Sequence, residues 1–119
     1  MRGDNMPIPP IQKQLAIKQI EKYCKNMVPE HVQHQVASKY ELEKNTITLI
    51  ESRPKWDDDS TWIDIPIAKM KYEIKSMTWK LYCVLGNGKW VSYDGLAPQK
   101  DMQKCIDEIE ADPTCIFWG

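Results

Sequence analysis

The sequence predicts an α+β fold: an N-terminal helix, a five-stranded antiparallel meander and a C-terminal helix. Three observations predict it. The middle of the chain is built of short runs in which apolar and polar residues alternate, the period of a half-buried strand. That stretch of the chain holds four of the five tryptophans, Trp56, Trp62, Trp79 and Trp90, and tryptophan favours strands and needs a surface to lie against. A segment on either side repeats its apolar residues near three- and four-residue spacing, the period of a helix. The fifth tryptophan, in Ile116-Phe117-Trp118-Gly119, predicts a C-terminus that is tied down.

Met6-Pro7-Ile8-Pro9-Pro10 is extended, because proline removes donors and restricts its neighbours. A helix follows from about Pro10 to Asn26, with Ile11, Leu15, Ile20, Cys24 and Met27 as its apolar stripe and Pro29 as its stop. After a short connection at His31–Gln35, Val36 to Leu42 and Ile47 to Arg53 alternate around a turn at Lys44-Asn45, where Asn tolerates positive φ. Pro54 is expected to stop the second strand, and Lys55–Thr61 to be a charged loop. The third strand spans about Trp62 to Ile74, and Pro66 within it demands an edge, a bulge or a strand start. Lys75-Ser76-Met77 turns the chain into a fourth strand with Trp79, Leu81, Cys83 and Leu85 on one parity. Gly86-Asn87-Gly88 predicts a type I′ hairpin centred on Asn87-Gly88, which pairs Leu85 with Trp90 and Tyr82 with Tyr93. The last helix runs from about Gln99 to Ala111, with Met102, Cys105, Ile106 and Ile109 as its stripe and Pro113 beyond it.

At 119 residues the chain reads as one domain, residues 1–119, with 1–9 an extended N-terminal segment. Sixteen basic against 17 acidic residues exclude an overall electrostatic grip on nucleic acid or anionic membrane. No apolar run is long enough to span a bilayer, and the first residues lack a signal core, so a cytoplasmic protein without membrane contact is expected. Arg2-Gly3-Asp4 matches an adhesion tripeptide by chance in such a setting. Cys24, Cys83, Cys105 and Cys115 show no C-x-x-C spacing and read as reduced thiols, so neither metal nor cofactor is expected.

The meander and its ending carry a resemblance. Glu51-Ser52-Arg53-Pro54 with Trp56, Trp62 with Ile65-Pro66-Ile67-Ala68, Tyr72, Trp79-Lys80-Leu81-Tyr82, Asn87-Gly88-Lys89-Trp90 with Tyr93, and Asp112-Pro113-Thr114-Cys115-Ile116-Phe117-Trp118-Gly119 resemble a bacterial family known only as domain of unknown function 3024. The resemblance runs from Met6 onward. Cys115 departs from it, standing where a glycine is usual. It implies a small bacterial cytosolic protein, and no activity or catalytic residue.

Several groups are candidates for function. Glu51 and Arg53, two apart on one strand, either line a groove or form a structural pair that fixes the Pro54 turn; the pattern favours the structural pair. His31 and His34 could approach a metal on a helical turn, or act as acid and base in metal-free RNA cleavage with Arg53 or Lys39 on the phosphate, but a solvated loop pair is the simpler reading. Asp57-Asp58-Asp59 lacks the spaced acids of a calcium loop. Lys69, Lys71, Lys80 and Lys89, with Tyr82 and Tyr93, are expected to share a sheet face of cations and rings; single-strand nucleic-acid binders use such faces, although a half-exposed face with snorkelling lysines is the plainer reading. The tryptophans Trp56, Trp62 and Trp90 are core or interface residues. Three functions follow in order of preference. The first is a non-enzymatic module that forms a homodimer or binds a protein partner through aromatic sheet surface. The second is a single-stranded nucleic-acid-binding domain, and the third a small ribonuclease-like hydrolase.

Overall fold

A computed structural model describes residues 8–27, 37–55 and 57–118. Helix α1 is Pro10–Met27, strands β1 to β5 are Ala37–Glu43, Thr46–Lys55, Asp58–Glu73, Thr78–Val84 and Trp90–Ser92, and helix α2 is Met102–Ala111. The strands form one sheet in the order β1-β2-β3-β4-β5, each antiparallel to its neighbours. The predicted helix, five-stranded meander and helix are all present.

Alternation decides which side of the sheet is buried. Ile47 and Leu49 of β2, Ala68, Met70 and Tyr72 of β3, and Trp79, Leu81 and Cys83 of β4 point to one side. There they join Ile8, Ala16 and Ile20 from the N-terminal segment and α1, and Met102, Cys105, Ile106 and Ile109 from α2, in a single core. Tyr72 and Trp79 meet edge to face inside it, with ring centroids 5.1 Å apart. The stripe of α2 is the predicted one. That of α1 holds only in part: Ile20 is buried and Cys24 partly covered as expected, but Ile11 is 80% and Leu15 47% exposed, and Ala16 and Tyr23 complete the buried side. The five-residue step from Leu15 to Ile20 turns about 140° around a helix, so the two cannot share a face, whereas Ala16 lies one turn before Ile20.

The turns show how the register is set. At the β1–β2 turn it is Lys44, not Asn45, that takes positive φ (54°). Asn45 is buried and reaches across the sheet instead: its carbonyl accepts from Tyr72 N at 2.8 Å, and its Nδ2 donates to the Tyr72 carbonyl at 3.0 Å. Pro54 does not stop β2, which runs on to Lys55, and Lys55 pairs with Asp58 where a loop was expected. Pro66 sits at a bulge, as required: β3 pairs Ala68 with Leu49 and Pro66 with Ile50, leaving Ile67 as the extra residue. Pairing with β4 begins only at Ala68, so Pro66 forfeits no hydrogen bond to that strand.

The β4–β5 hairpin differs from expectation by one residue, with large effect. Val84 pairs with Trp90 and Tyr82 with Ser92. A type I′ turn needs two residues at positive φ, and of this loop only Gly88 (84°) has it. Gly88 N instead donates to Leu85 O at 2.8 Å, Leu85 N to Lys89 O at 2.9 Å, and Lys89 N to Asn87 Oδ1 at 3.0 Å. The loop is therefore three residues, Gly86-Asn87-Gly88, with glycine at the left-handed position. One residue of slip exchanges the faces of a strand. Trp90 joins Tyr82 outside, and Tyr93 goes into the core, where its ring lies 5.0 Å from Phe117.

Helix α2 starts at Met102, three residues later than expected, because Gln99 is used as strand. Its N–H and carbonyl bond Trp79, at 2.9 and 2.6 Å, where β5 no longer covers β4. Asp101 caps the helix through Gln103 N at 3.0 Å and accepts from Gln19 of α1 at 2.9 Å. Asp112 ends it in a left-handed conformation, and its carboxylate then receives Phe117 N at 3.0 Å and Trp118 N at 2.8 Å. The expected tie on the C-terminus is thus one aspartate holding two backbone donors. Cys115, inside this return, adopts φ 60°, a conformation that explains why glycine suits the position.

Candidate functional site: the open face of the sheet

Both helices lie on one side of the sheet, so among the described residues no layer covers the other. β1 presents Glu41 and Glu43 there, β2 Thr46, Thr48 and Ile50, β3 Lys69 and Lys71, β4 Lys80 and Tyr82, and β5 Trp90. The side chains form adjoining hollows that share Thr46 and Lys69. One, of about 260 Å³, is lined by Thr46, Lys69, Lys71, Tyr82 and Trp90. Another, of about 480 Å³, is walled by Glu41, Glu43, Thr48 and Lys69. Lys69 Nζ stands 4.5 Å from the centroid of the Trp90 ring, and Lys80 Nζ 5.7 Å from that of Tyr82. Lys71 and Lys80 are directly opposite each other on β3 and β4. Like charges so placed destabilise a sheet by roughly 0.2–1 kcal/mol.

The predicted site residues fall into separate groups. Lys80, Tyr82 and Trp90 come together on the open face, with Lys69 and Lys71. Tyr93 does not: it is buried, and its hydroxyl donates to Glu108 Oε2 at 2.7 Å, an acceptor that, together with burial, raises its pKa. The one-residue phase of the preceding hairpin removes it from the face. Lys89 falls in the exposed loop before β5. Glu51 and Arg53 do form an ion pair, Arg53 Nη2 to Glu51 Oε1, on the side of the sheet that faces the helices. The Glu51 side chain is 12% exposed and that of Arg53 49%, an arrangement that fits a structural pair. Trp62 is 45% exposed and lies opposite Pro54, far along β3 from Tyr82. Trp56, His31 and His34 lie outside the described residues.

The face owes part of its composition to residues that no motif singles out. Thr46, Thr48, Glu41 and Glu43 are visible in the sequence only as the polar parity of two strands. Asp64 is another. It accepts from Lys39 Nζ at 2.8 Å and from Ser52 Oγ at 2.5 Å, which together hold its carboxyl below the usual range, and the hydrogen bond to Asp64 in turn raises the Lys39 pKa. Asp58 is lowered by Ser60 and Thr61, whose hydroxyls it accepts at 2.6 and 2.8 Å. Asp58 thus binds its own neighbours.

A nucleophilic cysteine is favoured by a lowered thiol pKa. The thiols of Cys24 and Cys105 are pushed by burial to about 11 and about 12, and the Tyr23 phenol to about 12. All of these lie in or against the core, and all move away from reactivity. Among the described residues no three His, Cys, Asp or Glu side chains could hold a metal ion, and no helix is long and apolar enough to cross a membrane. The open face can bind, through rings, cations and hydroxyls.

No curated protein and no solved structure matches the chain. A family model does, over residues 8–119, which takes in both helices, the meander and the Asp112 return. The chain therefore belongs to the family described as Domain of unknown function (DUF3024).

Proposed function

We propose that this protein is a non-enzymatic interaction module that takes a protein partner on the open face of its sheet. The observation that carries the reading is the pairing of Trp90 and Tyr82 with Lys69 and Lys80 on a face that neither helix covers. Aromatic residues are enriched where protein partners meet, and a ring already topped by a cation is a preorganised contact. The acids of β1 opposite the lysines of β3 and β4 suit a partner of mixed charge. The same reading sets the protein in a bacterial cytosol, in keeping with its four free thiols. A photo-cross-linking residue placed at Tyr82 should capture a protein in the living cell, the adduct should disappear with Trp90→Ala, and the same residue at exposed Lys18 of α1 should give none. Equal yields at both positions would end the proposal.

One observation favours a second reading, a single-stranded nucleic acid on the same face. Lys71 opposite Lys80, with Lys69 beside them, is a local excess of positive charge kept at a cost in stability. Against it, Glu41 and Glu43 border the same hollow, and the ring faces are already occupied by ammonium groups. Three phosphate contacts would give a slope of log K against log salt of roughly −2. A fluorescent oligonucleotide that stays unbound at low salt excludes it.

A further inference from the structure

A different surface carries an inference of its own, the outer edge of β3. The strand spans Asp58–Glu73 and pairs with β2 from Lys71 back to Trp62 and again at Asp58, but with β4 only from Ala68 onward. Among the described residues no strand lies along the outer edge of its first half, where Ser60 N donates to Asp58 Oδ1 at 3.1 Å. Residues 60–64 are all exposed there, Trp62 by 45% and Ile63 by 40%. Proteins normally blunt such an edge with outward charge or proline. Here Pro66 stands at one end. Asp64 is bound by Lys39 and Ser52, and Asp58 folds back on Ser60 and Thr61. Between them Trp62 lies uncovered.

We infer that a second copy of this chain adds to this edge, antiparallel and across a two-fold axis at Trp62. That register sets Trp62 against Trp62 of the second copy, Ser60 against its Asp64, and Asp58 against its Pro66, so no like charges meet. Moving the axis to Thr61 would set Asp58 against Asp64, and moving it to Ile63 would set Trp62 against Asp64. An aromatic pair across two strands is among the more stabilising cross-strand contacts. An isologous strand pair closes on itself and leaves no edge at this site to recruit a third copy. The two sheets become one of ten strands, with the open faces of both copies on its surface and still accessible.

Sedimentation equilibrium from micromolar to millimolar concentration tests it. The mass should rise with concentration from 13.9 kDa to twice that value. Trp62→Lys should remain monomeric throughout with an unchanged melting temperature, and Trp62→Phe should still associate. In a Cys115→Ser background, Trp62→Cys should oxidise to a disulfide-linked dimer and Lys80→Cys should not. A wild-type monomer up to millimolar concentration overturns the inference, as does a dimer that Trp62→Lys leaves intact. A dimer dissolved by Trp90→Ala but not by Trp62→Lys would move the contact to the open face, sinking the edge and supporting the other surface.

Discussion

The two halves of β3 are built of similar residues and live in different worlds. From Ala68 to Tyr72 the inward positions are Ala68, Met70 and Tyr72, exposed by 0, 0 and 2%. Toward the other end Ile63, on the same side of the sheet, is exposed by 40%, and Trp62, on the open side, by 45%. Both pair with β2, although residues 59–61 have no partner there. The difference is that β4 pairs with the stretch from Ala68 to Glu73, whose inward side chains share the core with α2, and does not pair with the stretch before it. Trp79 and Trp62, exposed by 1% and 45%, differ in the side of the sheet they face as well as in their neighbours. Coverage by other elements, not the residue's own strand preference, decides whether a ring stabilises this fold or is left available to a partner.

That contrast can be broken most sharply at Trp79. Its replacement by alanine removes the centre of the shielded half and should cost about 3–5 kcal/mol in urea unfolding; a loss near that of an exposed residue would erase the distinction. Next is Asp112→Ala, which leaves the Phe117 and Trp118 amides without their charged acceptor and should cost about 2–3 kcal/mol. Third, the shielded half should weaken in alkali. Cys105 keeps its proton in the folded chain to about pH 12, whereas the unfolded thiol ionises near its ordinary value of 9.0. Its stabilising effect is whole below 9.0 and lost as the pH climbs toward 12, by about 1.4 kcal/mol per unit between them. Cys105→Ala should flatten that part of the pH–stability curve. Fourth, Cys115→Gly relieves a left-handed residue and should stabilise by about 1 kcal/mol. The smallest effect belongs to the uncovered half: Trp62→Ala, read on dilute protein, should stay within about 0.5 kcal/mol of the parent.

Much of this architecture was legible because it follows from period alone. The α2 stripe and the buried parity of β3 and β4 each had one physical solution, and Pro66 narrowed its own place to an edge, a bulge or a strand start. The misses occur where two solutions were close. Asn87-Gly88 satisfies a two-residue turn, and Gly86 also permits a three-residue one; burying Tyr93 against Phe117 and Glu108 settles it, through contacts with residues far along the chain. Ile11 and Leu15 look like core because they are apolar, while Ala16 and Tyr23 hold the better helical phase. Gln99 reads as helix until Trp79 is seen to need a backbone partner. The site was legible in part for the same reason. Lys69, Lys71, Lys80 and Tyr82 follow from alternation, whereas Trp90 and Tyr93 depended on the length of one loop.

The brevity of that loop has an evolutionary consequence. Point changes within Gly86-Asn87-Gly88 alter local strain, but losing or gaining a single codon there would rotate the following strand by half a turn, sending Trp90 inward and Tyr93 out. Sequences descended from a common ancestor with this protein should accept insertions and deletions least readily at this spot, and any that do should have exchanged the characters of positions 90 and 93 in compensation.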